Sequence, residues 1–160
     1  MLVNDRLKPM PTHEFLLLTE KNGTYADYMQ HFNDPKALTV NDDLVLYMMD
    51  TMRWIPSINP SNPNEWSGFG LNYYGPTVIN RTGAGKAARI FRLWVSMFQE
   101  GPSELKLTGT YEWLEDDHST IGRFPKIKLS RDSVIKTVND LAALAETAVS
   151  GQFYVLHMGV

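Results

Sequence analysis

The chain has 160 residues, a formal net charge of −3 at pH 7, 43% hydrophobic residues and no cysteine. This size predicts one domain over residues 1–160, and the acidic balance gives no bulk attraction to nucleic acid or to an anionic membrane. The lack of cysteine excludes disulfides, thiolate catalysis and cysteine-ligated metal sites.

The N-terminal segment, MLVNDRLKPMPTHEFLLL, lacks the pattern of a secretory signal peptide. Its apolar run, Phe15–Leu18, is too short for the core of such a peptide, and acidic residues lie on both sides of it. No segment approaches the roughly 20 apolar residues that a membrane-spanning helix needs. The sequence therefore predicts a cytoplasmic protein.

The first third of the chain predicts two helices after a segment of undecided type. Residues 11–20 fit either a short helix or a strand. Aromatic and apolar residues recur at helical spacing over residues 23–34, which predicts a helix. A second helix is expected to begin at an N-cap Thr39, with Asp42 in a capping-box position, and to end before Pro56.

The middle of the chain predicts a loop, a strand, a helix and a second strand. Residues 56–65 are rich in Pro, Asn and Ser and predict the loop, and residues 68–75 predict a strand. Residues 84–99 carry small and apolar side chains every three or four positions, as an amphipathic helix does. Residues 104–113 alternate strictly, which predicts an antiparallel strand with one wet face.

The C-terminal third predicts a strand, a helix and a buried strand. Residues 124–129 alternate again, and Ser130 is expected to cap a helix that ends near Gly151. The final FYVLHMG run is apolar enough for a buried strand. This order predicts an α+β fold, a mainly antiparallel sheet with helices packed on one face. The side chains expected in the core include Phe91, Trp94, Phe98, Leu105, Leu107, Val138 and Leu141.

The stretch NRTGAGKA, residues 80–87, nearly matches the phosphate-binding pattern G-x-x-x-x-G-K-[ST]. Gly85 and Lys86 fit, but Asn80 replaces the first glycine and Ala87 replaces the magnesium-binding hydroxyl. The sequence therefore predicts no binding of nucleotide with magnesium. An anion site that uses Arg81 and Lys86, in a loop that leads into the helix, is kept as the alternative function, because free N–H groups at a helix start favour anions.

Motifs for catalysis, metal binding or cofactors are absent from the sequence. The four histidines show no metal-ligand spacing, although ligands from distant positions can converge in space. No serine lies in a G-x-S-x-G elbow, and adjacent acids such as Asp42 and Asp43 suit a helix start. His157 fits a core histidine better than a catalyst. The sequence predicts no catalytic residue, cofactor or metal, and favours a non-enzymatic protein over a small enzyme.

Two surfaces are candidates for partner binding. The acidic stretch Glu115, Asp116 and Asp117, with Trp113 beside it, is expected at a hairpin tip and suits a basic protein partner. A second, aromatic surface is expected around the proline-rich loop, because tryptophan and tyrosine are enriched at binding hot spots. Its members are Trp54, Trp66, Tyr73 and Tyr74. The oligomeric state is left open.

The stretch MPTHEFLLLTEKNGTY, residues 10–25, resembles the opening of SUKH-type proteins. In that family a proline and an aromatic residue precede an apolar helix that ends in an Asn-Gly turn, and Pro11, Phe15 and Asn22-Gly23 stand in that order here. The resemblance implies an α+β domain and an immunity role, in which a bacterial protein binds and neutralises a toxin. The likeness covers about a tenth of the chain, and it assigns no functional residues.

Overall fold

The structure is a computed structural model that describes residues 11–19, 23–61, 68–113 and 122–160. Within these residues the elements follow one another in the order β1 (Thr12–Thr19), α1 (Tyr25–Met29), β2 (Leu38–Asn41), α2 (Asp42–Met52), β3 (Pro56–Ser57), β4 (Gly68–Phe69), β5 (Pro76–Ile79), α3 (Arg81–Gln99), β6 (Glu104–Thr108), β7 (Glu112–Trp113), β8 (Gly122–Arg123), β9 (Lys126–Ser130), α4 (Arg131–Ala148) and β10 (Phe153–Met158).

The main sheet contains β2, β1, β10 and β5 in that order, and every neighbouring pair is antiparallel. The central strand β10 is buried over almost its whole length, as its apolar sequence predicts. Alternation places Val155 and His157 on one face of the sheet and Tyr154 and Leu156 on the other. The prediction of a mainly antiparallel α+β fold is confirmed.

The three longer helices, α2, α3 and α4, pack on one face of this sheet. Their apolar sides share a core with Phe15, Ile79 and Val155 of the strands. The predicted core residues are all buried except Trp94, which is half-buried and donates its indole N–H to Thr51 Oγ1 at 2.8 Å. None of the described helices is long and apolar enough to cross a membrane.

Two of these helices begin where local capping chemistry differs from the prediction. Asn41, not Thr39, caps α2, and its side chain accepts the Asp43 N–H at 2.8 Å. Helix α3 begins at Arg81, three residues before the predicted start. Ser130 caps α4 as predicted.

The other face of the main sheet is covered by a much shorter element. The predicted helix over residues 23–34 is limited to the five residues of α1, and turns follow it. Tyr28 of α1 packs with Leu16 and Tyr154 on this face. The ring of Tyr28 meets that of Tyr154 edge-on at 6.0 Å.

The N-terminal segment that the sequence left undecided is the strand β1. It pairs with β10 on one side and with β2 on the other. The resemblance to SUKH-type proteins implied an apolar helix at this place, so the structure has a strand where that helix was expected.

The remaining strands lie outside the main sheet. Of the strand predicted over residues 68–75, only Gly68–Phe69 is extended and paired, because Gly70 and Gly75 turn the chain with φ values of 86° and 78°. Strands β6 and β9 pair only with each other among the described strands, and β7 pairs with β8. Together these four strands form a two-stranded arm, called the hairpin arm below.

Candidate functional site

The β6–β9 part of the hairpin arm packs in the core, whereas the β7–β8 part is exposed to solvent. Leu105, Leu107 and Ile127 are buried in the core, whereas the polar residues between them face solvent. The ladder then breaks, with Gly109 N–H donating to Pro125 O at 2.8 Å, and resumes for two residue pairs in β7 and β8. The sequence alternation over residues 104–113 is therefore split between two short strands.

Beyond the break, three aromatic rings pack against one another instead of against the core. Tyr111, Trp113 and Phe124 are 42%, 66% and 60% exposed. The Tyr111 ring meets the Trp113 ring edge-on with centroids 5.2 Å apart, and the Phe124 ring at 5.1 Å. These three residues are called the arm cluster below.

A glycine holds the arm cluster in this arrangement. The Tyr111 ring lies so close over Gly122 that a Cβ added there would come within 2.2 Å of the ring. Beside it, Arg123 Nε donates to Glu112 Oε1 at 2.8 Å across the β7–β8 pair. An aromatic ring laid over a strand glycine is a recognised device for fixing a short ladder. The cluster is therefore held by contacts within the arm itself.

Only part of the predicted partner surface can be placed. Trp113 is exposed in the arm cluster, whereas Glu115, Asp116, Asp117 and Trp66 lie outside the described residues. Trp54 is 59% exposed, but it follows the end of α2, while the arm residues Thr108–Thr110 lie beside Asp43 at its beginning. An 11-residue helix is about 16 Å long. The structure therefore does not bring Trp54 together with Trp113.

The predicted anion-binding loop is not a loop. Arg81 and Lys86 are both exposed and lie within α3. Two amides of the first turn are already used, because the Asn80 side chain accepts the Thr82 N–H at 3.0 Å and Asn80 O accepts that of Gly83 at 3.0 Å. The interpretation of residues 81–86 as a loop is wrong, since Asn80 acts as an ordinary N-cap.

A buried polar network that the sequence did not indicate joins strands β1 and β10 to the beginning of α2. His13 Nδ1 is 2.8 Å from His157 Nε2, and His13 Nε2 is 2.9 Å from Asp42 Oδ1. The Tyr73 hydroxyl donates to Asp42 Oδ2 at 3.1 Å. Both histidines are fully buried and Asp42 is 8% exposed. Residues far apart in the chain thus converge in space.

The hydrogen bonds assign the protons of this network. Asp42 accepts from His13 Nε2–H, so a neutral His13 offers its Nδ1 lone pair to His157 Nε2–H. Nδ1 of His157 then has no partner among the described residues. Burial, with His13 nearby, lowers the pKa of His157 to about 3. Burial also lowers the pKa of His13, although Asp42 opposes this shift.

This network suits a structural role better than a catalytic one. The free nitrogen of His157 is fully buried, so no substrate reaches it. Burial and the hydrogen bond to Asp42 raise the pKa of Tyr73 to about 12, which leaves its hydroxyl protonated. Within the described residues, no group of three or more His, Cys, Asp or Glu side chains could hold a metal ion.

Comparison with known proteins gives no relative. No protein-family model, curated protein or solved structure matches this chain. Its function is therefore argued from the geometry alone.

Proposed function

We propose that the chain is a non-enzymatic protein-binding domain that contacts its partner through the arm cluster. The observation that carries this proposal is the exposure of Tyr111, Trp113 and Phe124, which pack on one another and leave much of their surface in water. A fully buried aromatic side chain removes about 150–250 Å² from water, and these three still expose 42–66% of their surface. A partner that covers these rings therefore gains a large hydrophobic stabilisation.

The arrangement of the rings supports the same conclusion. Aromatic side chains dominate binding hot spots, and they bind best when little freedom is lost on association. The edge-on contacts and the close packing of Tyr111 over Gly122 fix the rings before binding. By contrast, the anion-binding alternative lacks its loop.

The charge of the partner is inferred from the sequence that connects Trp113 to Gly122, since the paired strands of the arm carry both signs. The sequence that joins Trp113 to Gly122 contains Glu115, Asp116 and Asp117. A protein with a basic surface around an apolar patch matches acids that adjoin aromatic rings in the chain. Neither nucleic acid nor a membrane is the expected partner, because both carry negative charge.

Toxin immunity remains a prediction within this proposal. A basic toxin fits the partner chemistry, but the immunity role itself comes from the resemblance of residues 10–25 to SUKH-type proteins. The strand β1 stands where that resemblance implied a helix. The binding proposal is independent of the resemblance, since it depends on the hairpin arm.

Photo-crosslinking in the host cell tests the proposal and identifies the partner in the same step. A benzoylphenylalanine placed at Trp113 or at Phe124 should capture the same protein. The same probe at Phe69, which is 71% exposed and lies outside the arm, is the matched control and should not capture it.

The captured protein, once purified, allows a quantitative test. Trp113→Ala should weaken its affinity at least about tenfold, the size of a hot-spot loss, while Phe69→Ala should leave it unchanged. Equal affinities for native protein and the Trp113→Ala/Phe124→Ala variant would refute the arm as the contact surface. Labelling that is the same from positions 113 and 69 would refute it as well.

A further inference from the structure

We propose that the outer face of α3 is a homodimer interface, in which α3 packs antiparallel against α3 of a second copy with Leu93 at the two-fold axis. This face is separate from the hairpin arm, so the inference does not depend on the proposed function. The occupant is a second copy of this chain, for the reasons that follow.

The outer face of α3 exposes two large apolar side chains to solvent. Leu93 is 69% exposed and Met97 is 65% exposed. On one side, Trp54 joins them in an apolar groove of about 290 Å³. On the other side, Leu93 borders a wider groove of about 570 Å³ that is also lined by Val149, itself 50% exposed, and by the ion pair of Arg92 with Glu146. A contiguous apolar patch of this kind marks an interaction surface.

The charges on this face complement those of a second copy. Lys86, Leu93 and Glu100 follow one another at intervals of seven residues, so they lie on one side of the helix within about 40°. All three are exposed, and among the described residues neither Lys86 nor Glu100 forms an ion pair within its own chain. The cation and the anion are therefore equally far from the apolar centre, in opposite directions.

An antiparallel arrangement turns this spacing into two ion pairs. A two-fold axis at Leu93 places Lys86 opposite the partner's Glu100, and the reverse pair forms at the other end. Each charge lies about 10.5 Å along the helix from Leu93, and a crossing angle of about 20° keeps it within reach of a lysine side chain. Arg89 would then lie opposite the partner's Met97, which its aliphatic stem can cover.

The opposite orientation is disfavoured by the same residues. Parallel helices would place Lys86 against Lys86 and Glu100 against Glu100 of the partner subunit, and like charges repel across an interface. Gly85 and Ser96 line the wider groove and are small, so a second helix can approach α3 closely. The charges and the small residues therefore both favour antiparallel packing of the two α3 helices.

Sedimentation and a charge swap test this interface. The native chain should form a concentration-dependent dimer, and Leu93→Glu should abolish it. Lys86→Glu and Glu100→Lys should each raise the dissociation constant about tenfold, because each affects two symmetric ion pairs, and the double variant should restore it. Lys128→Glu, an exposed residue on the hairpin arm, is the charge-matched control and should have no effect.

Disulfide trapping gives a second, geometric readout, because the native chain has no cysteine. Leu93→Cys should form a crosslinked dimer under mild oxidation. Lys86→Cys mixed with Glu100→Cys should crosslink, while each variant alone should not.

A chain that stays monomeric up to about 200 µM, well above the micromolar range of weak dimers, would overturn the proposal. A dimer that survives Leu93→Glu would also overturn it. So would crosslinking of Lys86→Cys alone, which would show parallel helices.

Discussion

His13 and His157 form a direct hydrogen bond in the core, although 144 residues separate them in the chain. The contact exists because β1 and β10 pair at the centre of the sheet, with Phe15 opposite His157 in the register. Asp42, at the first position of α2, accepts from the other side of His13. The network thus ties the first strand, the last strand and the start of a helix together.

This network makes stability depend on pH. The folded-state pKa of His157 is lowered to about 3 from 6.5, and that of His13 is lowered as well. Below pH 6.5 the unfolded chain therefore binds protons that the folded chain does not, and stability is lost as pH falls. Each excluded proton costs about 1.4 kcal/mol per pH unit in this range. Urea unfolding at about pH 7.5 and about pH 5.5 should show this loss.

His157→Gln separates this effect from the titration of carboxylates. The variant should be less stable than the native chain at neutral pH, because it disturbs the bond to His13. Its stability should nevertheless fall less steeply between the two pH values, by about one proton. Parallel pH profiles for native protein and variant would contradict the assignment. Asp42 and Tyr73, the other titratable groups in contact with the network, are unchanged in this comparison.

Local signals explain which elements the sequence predicted well. Ser130 caps α4 and the apolar spacing of α3 is correct, since capping and periodicity depend on residues within a few positions of each other. The sequence predicts His157 as a core histidine, which is confirmed, but it does not predict the contact with His13, because the register of β1 against β10 involves the two ends of the chain. A partial signal existed: alternation places His13 on the same face as Phe15, and His157 on the same face as Val155.

The hairpin arm shows a different limit. Strict alternation over residues 104–113 predicted one apolar face, and Leu105 and Leu107 are indeed buried. The same alternation gave no sign that Tyr111 and Trp113 would stay exposed. A period of two reports that the faces of a strand differ, but it does not report whether a second layer covers them. That depends on where the helices end, which is tertiary information.

The predicted core is tested at Phe91, whose side chain is 2% exposed and packs in the core between the sheet and the helices. Phe91→Ala should lower the free energy of unfolding by about 3–5 kcal/mol, the usual loss for a truncated buried aromatic side chain. Gln99→Ala, at an exposed position of the same helix, should change it by less than about 0.5 kcal/mol. Urea midpoints at neutral pH give both values. A loss below about 1 kcal/mol for Phe91→Ala would mean that the core does not depend on this ring.

Gly83 and Gly85 should respond to alanine with opposite signs, although they lie two positions apart in α3. A Cβ on Gly83 would come within 1.9 Å of the Pro56 carbonyl oxygen, a backbone atom that cannot move aside without shifting β3. A Cβ on Gly85 would meet only the Arg89 side chain, at 3.6 Å. We expect Gly83→Ala to be destabilising, and Gly85→Ala to stabilise by up to about 1 kcal/mol through helix propensity. Thermal unfolding of the two variants at the same low concentration compares them.

The alanine variants also test why glycines occur in residues 80–87, the stretch that nearly matches the phosphate-binding pattern. If Gly83→Ala were as stable as the native chain, the close approach of α3 to β3 would be wrong, and the glycines would need another explanation. If it is destabilised as expected, Gly83 is present for packing. Calorimetry with millimolar ATP or GTP should then show no magnesium-dependent heat, since Asn80 and Ala87 replace the residues that such a site needs.

The acids that follow Trp113 in the sequence should control how fast the partner associates. Replacing Glu115, Asp116 and Asp117 by Gln, Asn and Asn should slow association with a basic partner and flatten its dependence on salt. The reason is that exposed charges steer encounter and are screened within roughly 10 Å at 0.1 M ionic strength. Stopped-flow association rates at several salt concentrations measure both quantities.

The control variant removes three negative charges at positions outside the hairpin arm. Asp50→Asn/Asp132→Asn/Asp140→Asn does so on helix surfaces outside the arm and outside the groove beside Leu93, and such ion pairs contribute less than about 1 kcal/mol each. We expect the control to keep the native salt slope, whereas the variant at positions 115–117 loses most of it. Dissociation rates should respond to Trp113→Ala instead, because buried apolar contacts determine how long a complex lasts. Identical salt slopes for the variant at positions 115–117 and the control would show that net charge alone, and not the three acids that follow Trp113 in the sequence, directs the encounter.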